Sequence, residues 1–150
     1  MTELRDLYQE VLLDHSKRPR NFGVLEGADH TAIGHNPLCG DKVVVYLRME
    51  GDRIAAIRFQ GQGCAVSQAS ASMMTESVKG KTRAEAEALF ERFHELLTGE
   101  ASDAAAAPEL GKLTIFAGVR KYPVRVKCAT LAWHTLRAAL QQKTETVSTE

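Results

Sequence analysis

Apolar residues at Leu4, Leu7, Tyr8, Val11 and Leu12 recur at helical spacing and predict an amphipathic helix over residues 3–15. It stops before Arg18-Pro19-Arg20-Asn21-Phe22-Gly23, a turn-rich stretch. Residues 24–38 have no helical period and read as loop, with one irregular strand around 29–34. Alternation through Val43, Val45 and Leu47, and again through Ile54, Ala56 and Phe59 with Ile57 offset, is the clearest strand signal. Glu50-Gly51-Asp52 between them is a hairpin turn, so two or three antiparallel strands are expected. Gly61-Gln62-Gly63 breaks the last strand, and a helix rich in Ala, Ser and Met runs from Cys64 to Val78. Its row Ala65, Ala69, Met73, Ser77 is slim enough for close helix packing. Thr82 and Glu85 form a capping box, and the helix behind it buries Ala86, Leu89, Phe90, Phe93 and Leu97. Residues 98–112 read as a linker or short helix. Pro123 breaks the chain once more, and a last helix starting near Cys128 buries Ala129, Trp133, Leu136 and Leu140. The polar residues 141–150 read as a frayed tail. This order is an α+β layout in a single domain, residues 1–150.

Composition narrows the classes of function. The 150 residues are 44% hydrophobic and 25% charged, ordinary globular material able to bury a core. Nineteen basic residues balance nineteen acidic ones, which argues against a nucleic-acid binder working by bulk charge. The first residues carry no apolar leader and no stretch of about 18 apolar residues occurs, so no secretory signal and no membrane span are expected and the chain reads as cytoplasmic. Three cysteines, with no CxxC pair, do not make a disulfide framework.

The contexts of those cysteines suggest chemistry. Cys39 lies in Asn36-Pro37-Leu38-Cys39-Gly40-Asp41, a loop leading into a strand. Residues two apart in extended chain face the same way, so Cys39 and Asp41 can address one point, with Gly40 freeing the backbone between them. Cys64 follows two glycines and opens a helix, whose unpaired N–H groups and dipole favour a thiolate. Cys128, read at the start of the last helix, follows the cations Arg120, Lys121, Arg125 and Lys127. Three thiolates and a carboxylate make a four-coordinate set that zinc accepts, and the same soft ligands suit iron–sulfur chemistry. With zinc the site carries a formal charge near ~−2, which Arg125 and Lys127 are placed to offset. The spacing alone leaves this shared site and three inert buried cysteines both open. Of the histidines, His15 and His30 read as structural hydrogen-bonders and His94 and His134 as helix-face residues. His35, near the Cys39 loop, is the one to watch. Met73 and Met74 read as packing. Lys17-Arg18-Pro19-Arg20 is a short basic run that either touches a partner or is solvated.

From Leu7 to about Leu140 the chain resembles the IscU/NifU N-terminal scaffold family, most closely its SufU branch. The residues that carry the likeness are Leu7-Tyr8, Asp14-His15, Pro19 to Gly23, Asn36 to Asp41, Gly61-Gln62-Gly63-Cys64-Ala65 with Ser67, Ala69-Ser70 and Ser72-Met73, and Lys127 to Trp133. The resemblance implies an IscU/SufE-like α+β fold: a small antiparallel sheet of about three strands with helices on one side. It implies that Cys39, Asp41, Cys64 and Cys128 hold zinc, and that Cys39 accepts persulfide sulfur from a SufS-like cysteine desulfurase. Such a protein is a sulfurtransferase-type partner of that enzyme, and downstream Suf-type assembly proteins or apo iron–sulfur proteins receive the sulfur. Two alternatives stand beside it: a scaffold assembling a 2Fe–2S cluster on the same cysteines, and a purely structural zinc domain. IscU-like proteins place a histidine before the third cysteine where this chain has Lys127, which favours zinc over cluster. Residues 121–127 lack the Leu-Pro-Pro-Val-Lys chaperone motif of that branch, and residues 98–112 resemble an insertion typical of SufU.

Overall fold

The computed structural model describes residues 2–36, 40–98, 113, 116, 122–141 and 147–148, with backbone alone over 2–8 and 147–148. Helix α1 (Thr2–Lys17) is followed by strands β1 (His30–Asn36), β2 (Asp41–Glu50) and β3 (Arg53–Gln62). Helices α2 (Ala65–Val78), α3 (Arg83–Thr98) and α4 (Pro123–Leu140) come next, and then β4 (Val147–Ser148). The sheet order is β3-β2-β1-β4; the first three strands are antiparallel neighbours.

Strand periodicity gives the sheet one dry face. Ala32, Val43, Val45, Leu47, Ile54, Ile57 and Phe59 point inward, while Thr31, Ile33, His35, Lys42, Arg48 and Arg58 point outward. Ile54 and Ile57 can both face inward because the β2–β3 register shifts at Arg48/Met49, a bulge that accounts for the offset in the alternation. α2 and α4 cover the inner face, α1 lies on α2, and α3 lies on α4. The antiparallel sheet with helices on one side is therefore present as expected.

α2 is buried nearly all round from Ala69 to Thr75, so its serines and threonine need partners. Ser70 donates to the Ala129 carbonyl and accepts from Trp133 Nε1 at 3.1 Å. Ser72 Oγ takes the Arg20 backbone N–H at 2.8 Å and meets His15 Nδ1 at 2.7 Å. Thr75 accepts from Asn21 Nδ2 at 3.0 Å. The Asp14-His15 and Arg20-Asn21 residues thus clasp α1 and its exit loop onto α2, and His15 has the structural role read for it. Met73 and Met74 are buried in the core, again as expected.

Four elements differ from the expectations of the sequence. The irregular strand at 29–34 is a regular strand through Asn36, and β3 continues through Gly61 to Gln62. Gly61 was read as a strand breaker, yet it is what the pairing requires: a Cβ there would lie 2.3 Å from the Lys42 carbonyl. α4 starts five residues before Cys128, at Pro123, which takes the N-terminal position where a missing N–H costs nothing. The tail read as frayed pairs Val147 and Ser148 in parallel with Gly34 and His35. Residues 99–112 of the presumed linker lie outside the described residues. Among the described residues, no helix is long and apolar enough to cross a membrane.

Candidate metal centre

Three elements converge at one end of the sheet. Asp41 is the first residue of β2 and is fully buried. It follows Gly40, whose φ of +72° lies in the left-handed region that glycine enters freely. Cys64 is the N-cap of α2 and half-buried. Cys128 is buried on the second turn of α4. One ligand atom from each lies within 4.8 Å of the others, the only such group of three among the described residues.

The carboxylate of Asp41 is held by α2. Its Oδ1 accepts the Cys64 backbone N–H at 2.9 Å, so it also lies at the positive end of the helix dipole. Its Oδ2 is 3.8 Å from Cys64 Sγ. Gly63 makes this approach possible, since a Cβ at that position would lie 2.2 Å from Oδ1 and 2.8 Å from Cγ. What Gly63 provides is room for Asp41. Ser70, which ties α2 to the carbonyl of Ala129, fixes the turn of α4 that carries Cys128. Only the Gly-Gln-Gly-Cys run hinted at the first role, and nothing local hinted at the second.

The donors suit a zinc-type ion. Tetrahedral coordination with Zn–S of ~2.3 Å and Zn–O of ~2.0–2.2 Å separates neighbouring ligand atoms by about 3.5–4 Å, and the Asp41–Cys64 distance falls in that range. Cys39, the fourth ligand expected, lies outside the described residues, as do Arg120 and Lys121. Arg125 is exposed and Lys127 half-buried on the α4 turns before Cys128. Cys128 was expected at a helix start; in the second turn it lies past the N-terminal N–H groups, and of the two cysteines only Cys64 has that position. His35 projects from the outer face of β1, whereas Asn36 and Asp41 pair on the buried side.

The sequence profile described as NifU-like N terminal domain matches residues 7–129, most of the chain. The chain belongs to this family. Similar members include the iron-sulfur cluster assembly scaffold protein IscU of Streptococcus pyogenes serotype M1, 42% identical over 142 residues and covering 95% of this chain and 87% of that protein. The zinc-dependent sulfurtransferase SufU of Bacillus subtilis strain 168 is 38% identical over 140 residues, 93% of each chain. Among solved structures, an iron-sulfur cluster assembly scaffold protein for the SUF system from Fervidobacterium islandicum AW-1 superposes with a TM-score of 0.82 at 38% identity. That match covers 91% of this chain and 98% of the other. The α+β architecture of the NifU-like domain is thereby established.

Proposed function

We propose that this protein is a zinc-dependent acceptor of persulfide sulfur, working with a SufS-like cysteine desulfurase in iron–sulfur cluster assembly. Cys39, Asp41, Cys64 and Cys128 form the zinc-binding set and Cys39 is the sulfur acceptor. The observation that carries the reading is the convergence of Asp41, Cys64 and Cys128 from three separate elements onto one point. Identity to a protein named a zinc-dependent sulfurtransferase, over nearly the whole chain, supports it.

Bound there, zinc would keep the thiolates deprotonated and reduced. The chain's residues do the rest. The Cys64 N–H orients Asp41 by taking one carboxylate oxygen, leaving Oδ2 for the ion. Arg125 and Lys127 offset the negative charge of the set. In the transfer step the Cys39 thiolate attacks the terminal sulfur of the desulfurase persulfide. A new S–S bond forms on Cys39, the old one breaks, and the desulfurase cysteine leaves as a thiolate, so no external oxidant or reductant is needed. Thiols of this kind stay reduced in the cytoplasm, where the reading places the protein as a single domain. Downstream Suf-type assembly proteins or apo iron–sulfur proteins take the sulfur.

The test is metal analysis of the purified protein together with desulfurase turnover. One zinc per chain, stimulated turnover and loss of sulfur transfer in Cys39→Ala are expected; transfer undiminished in Cys39→Ala overturns the assignment. A second reading, a scaffold building a 2Fe–2S cluster on the same residues, is favoured by the likeness to a protein named an IscU scaffold. Anaerobic reconstitution with iron and sulfide separates the two: a stable cluster that transfers to an apo-protein supports the scaffold.

A further inference from the structure

A second set of ligand-type side chains lies between α3 and α4, away from the cysteines. His134 is six residues beyond Cys128, about 9 Å further along α4, and faces α3. There it meets His94, with ring centroids 5.9 Å apart at 79°. Both rings stand edge-on to Phe90, at 6.0 and 5.0 Å. The two imidazoles line a cavity of about 410 Å3 together with Glu91, Glu95, Phe90 and Arg137.

We propose that this pocket is a second metal site, taking a divalent ion of the nickel, copper or zinc type through His94 and His134 with a carboxylate from Glu91 or Glu95. An imidazole nitrogen sits about 2.0–2.1 Å from such an ion, which puts each ring centre about 3 Å away and two ring centres about 5–6 Å apart. The observed separation fits. Thr98 Oγ1 donates to the His94 carbonyl at 2.7 Å and lies 3.4 Å from His94 Nδ1. A ligand histidine is oriented in this way, through the ring nitrogen that does not meet the ion. His134 is half-buried, its ring held edge-on against Phe90. Glu91 and Glu95 are exposed on the α3 wall and free to rotate toward the ion. Arg137 is the opposing charge, and its guanidinium lies over the Phe90 ring, 4.4 Å from the centroid. Imidazole and carboxylate donors suit the borderline divalent ions named.

The test uses the untagged full chain loaded with one equivalent of zinc, freed of excess metal and then titrated with Ni2+ alone by calorimetry and proton NMR. One further ion per chain is expected, broadening the ring signals of His94 and His134. His94→Gln, a change at an exposed position, should weaken that binding at least tenfold. Glu91→Gln with Glu95→Gln should weaken it, Arg137→Met should tighten it, and His35→Gln should leave it unchanged. Nickel at the cysteines would announce itself by thiolate charge-transfer absorption, which the imidazole site lacks, so the outcome is independent of the sulfur-relay reading. No Ni2+ bound without that absorption, or unchanged affinity in His94→Gln, overturns the proposal.

Discussion

Asp41 is a buried carboxylate whose position depends on a residue without a side chain. Its Oδ1 is fixed by the Cys64 N–H, and only the missing Cβ of Gly63 lets the two segments come that close. Gly63→Ala should therefore swing the carboxylate out of the site while leaving the core packed. We expect at least a tenfold loss of zinc affinity in a chelator competition, with a stability loss of about 1–3 kcal/mol by urea unfolding of the metal-free protein. A variant that binds zinc like the wild type would show that Asp41 is not a ligand. Asp41→Asn separates the two tasks of the carboxylate. The amide oxygen still accepts the Cys64 N–H, so apo stability should hold better than in Asp41→Ala, while metal affinity falls in both. At this scale the sequence shows residue types but not their distances. Asp41 and Cys64 are far apart in the chain, and their hydrogen bond has no local signature.

At the scale of elements, local signals were readable and packing signals were not. The capping box is there as spelled: Thr82 N–H donates to Glu85 Oε1 at 2.9 Å and Glu85 N–H to Thr82 Oγ1 at 3.2 Å. The start of α4 was misplaced because a proline breaks a helix interior but is welcome at its first turn, and only the tertiary structure says which applies. Strand β4 was missed because two residues carry no period. Gly34 shows what packing hides: a Cβ on it would lie 2.0 Å from Thr135 Oγ1, 3.1 Å from Leu131 and 3.2 Å from Val43. It sets how near α4 lies to the sheet. Gly34→Ala should cost about 1–3 kcal/mol in urea unfolding and weaken zinc binding by moving Cys128; unchanged unfolding would mean the helix shifts without strain. The α3–α4 contact adds a pH dependence. His134 titrates at about 4 when folded against 6.5 when unfolded, so the unfolded chain binds the proton first. Stability is thus full above pH 6.5 and falls as pH drops toward 4. Allowing for the solvent around a partly exposed ring, the loss should be about 1–2 kcal/mol. Urea midpoints at pH 7 and 4.5, compared with those of His134→Gln, measure it, and equal pH slopes in the two proteins would refute it.

For the whole molecule, the centre matters because its ligands come from the sheet, the central helix and the last helix. None of these elements can leave without breaking the set, so an ion bound there stabilises only the assembled fold. Linkage then fixes the size of the effect: with free zinc at 100 times the dissociation constant, folding gains about 2.7 kcal/mol. For a chain of 150 residues, each kcal/mol moves the melting temperature by about 2–4 °C, so removing zinc with a chelator should lower it by roughly 5–11 °C. The same chelator should leave the melting temperature of a Cys39→Ser, Cys64→Ser, Cys128→Ser protein unchanged. A wild-type protein shown by metal analysis to have lost its zinc, yet melting where the loaded protein melts, would mean that the ion binds folded and unfolded chains alike. In that case the three elements would be held together by Ser70, Gly34 and the apolar core, and the metal would serve the sulfur chemistry without supporting the fold.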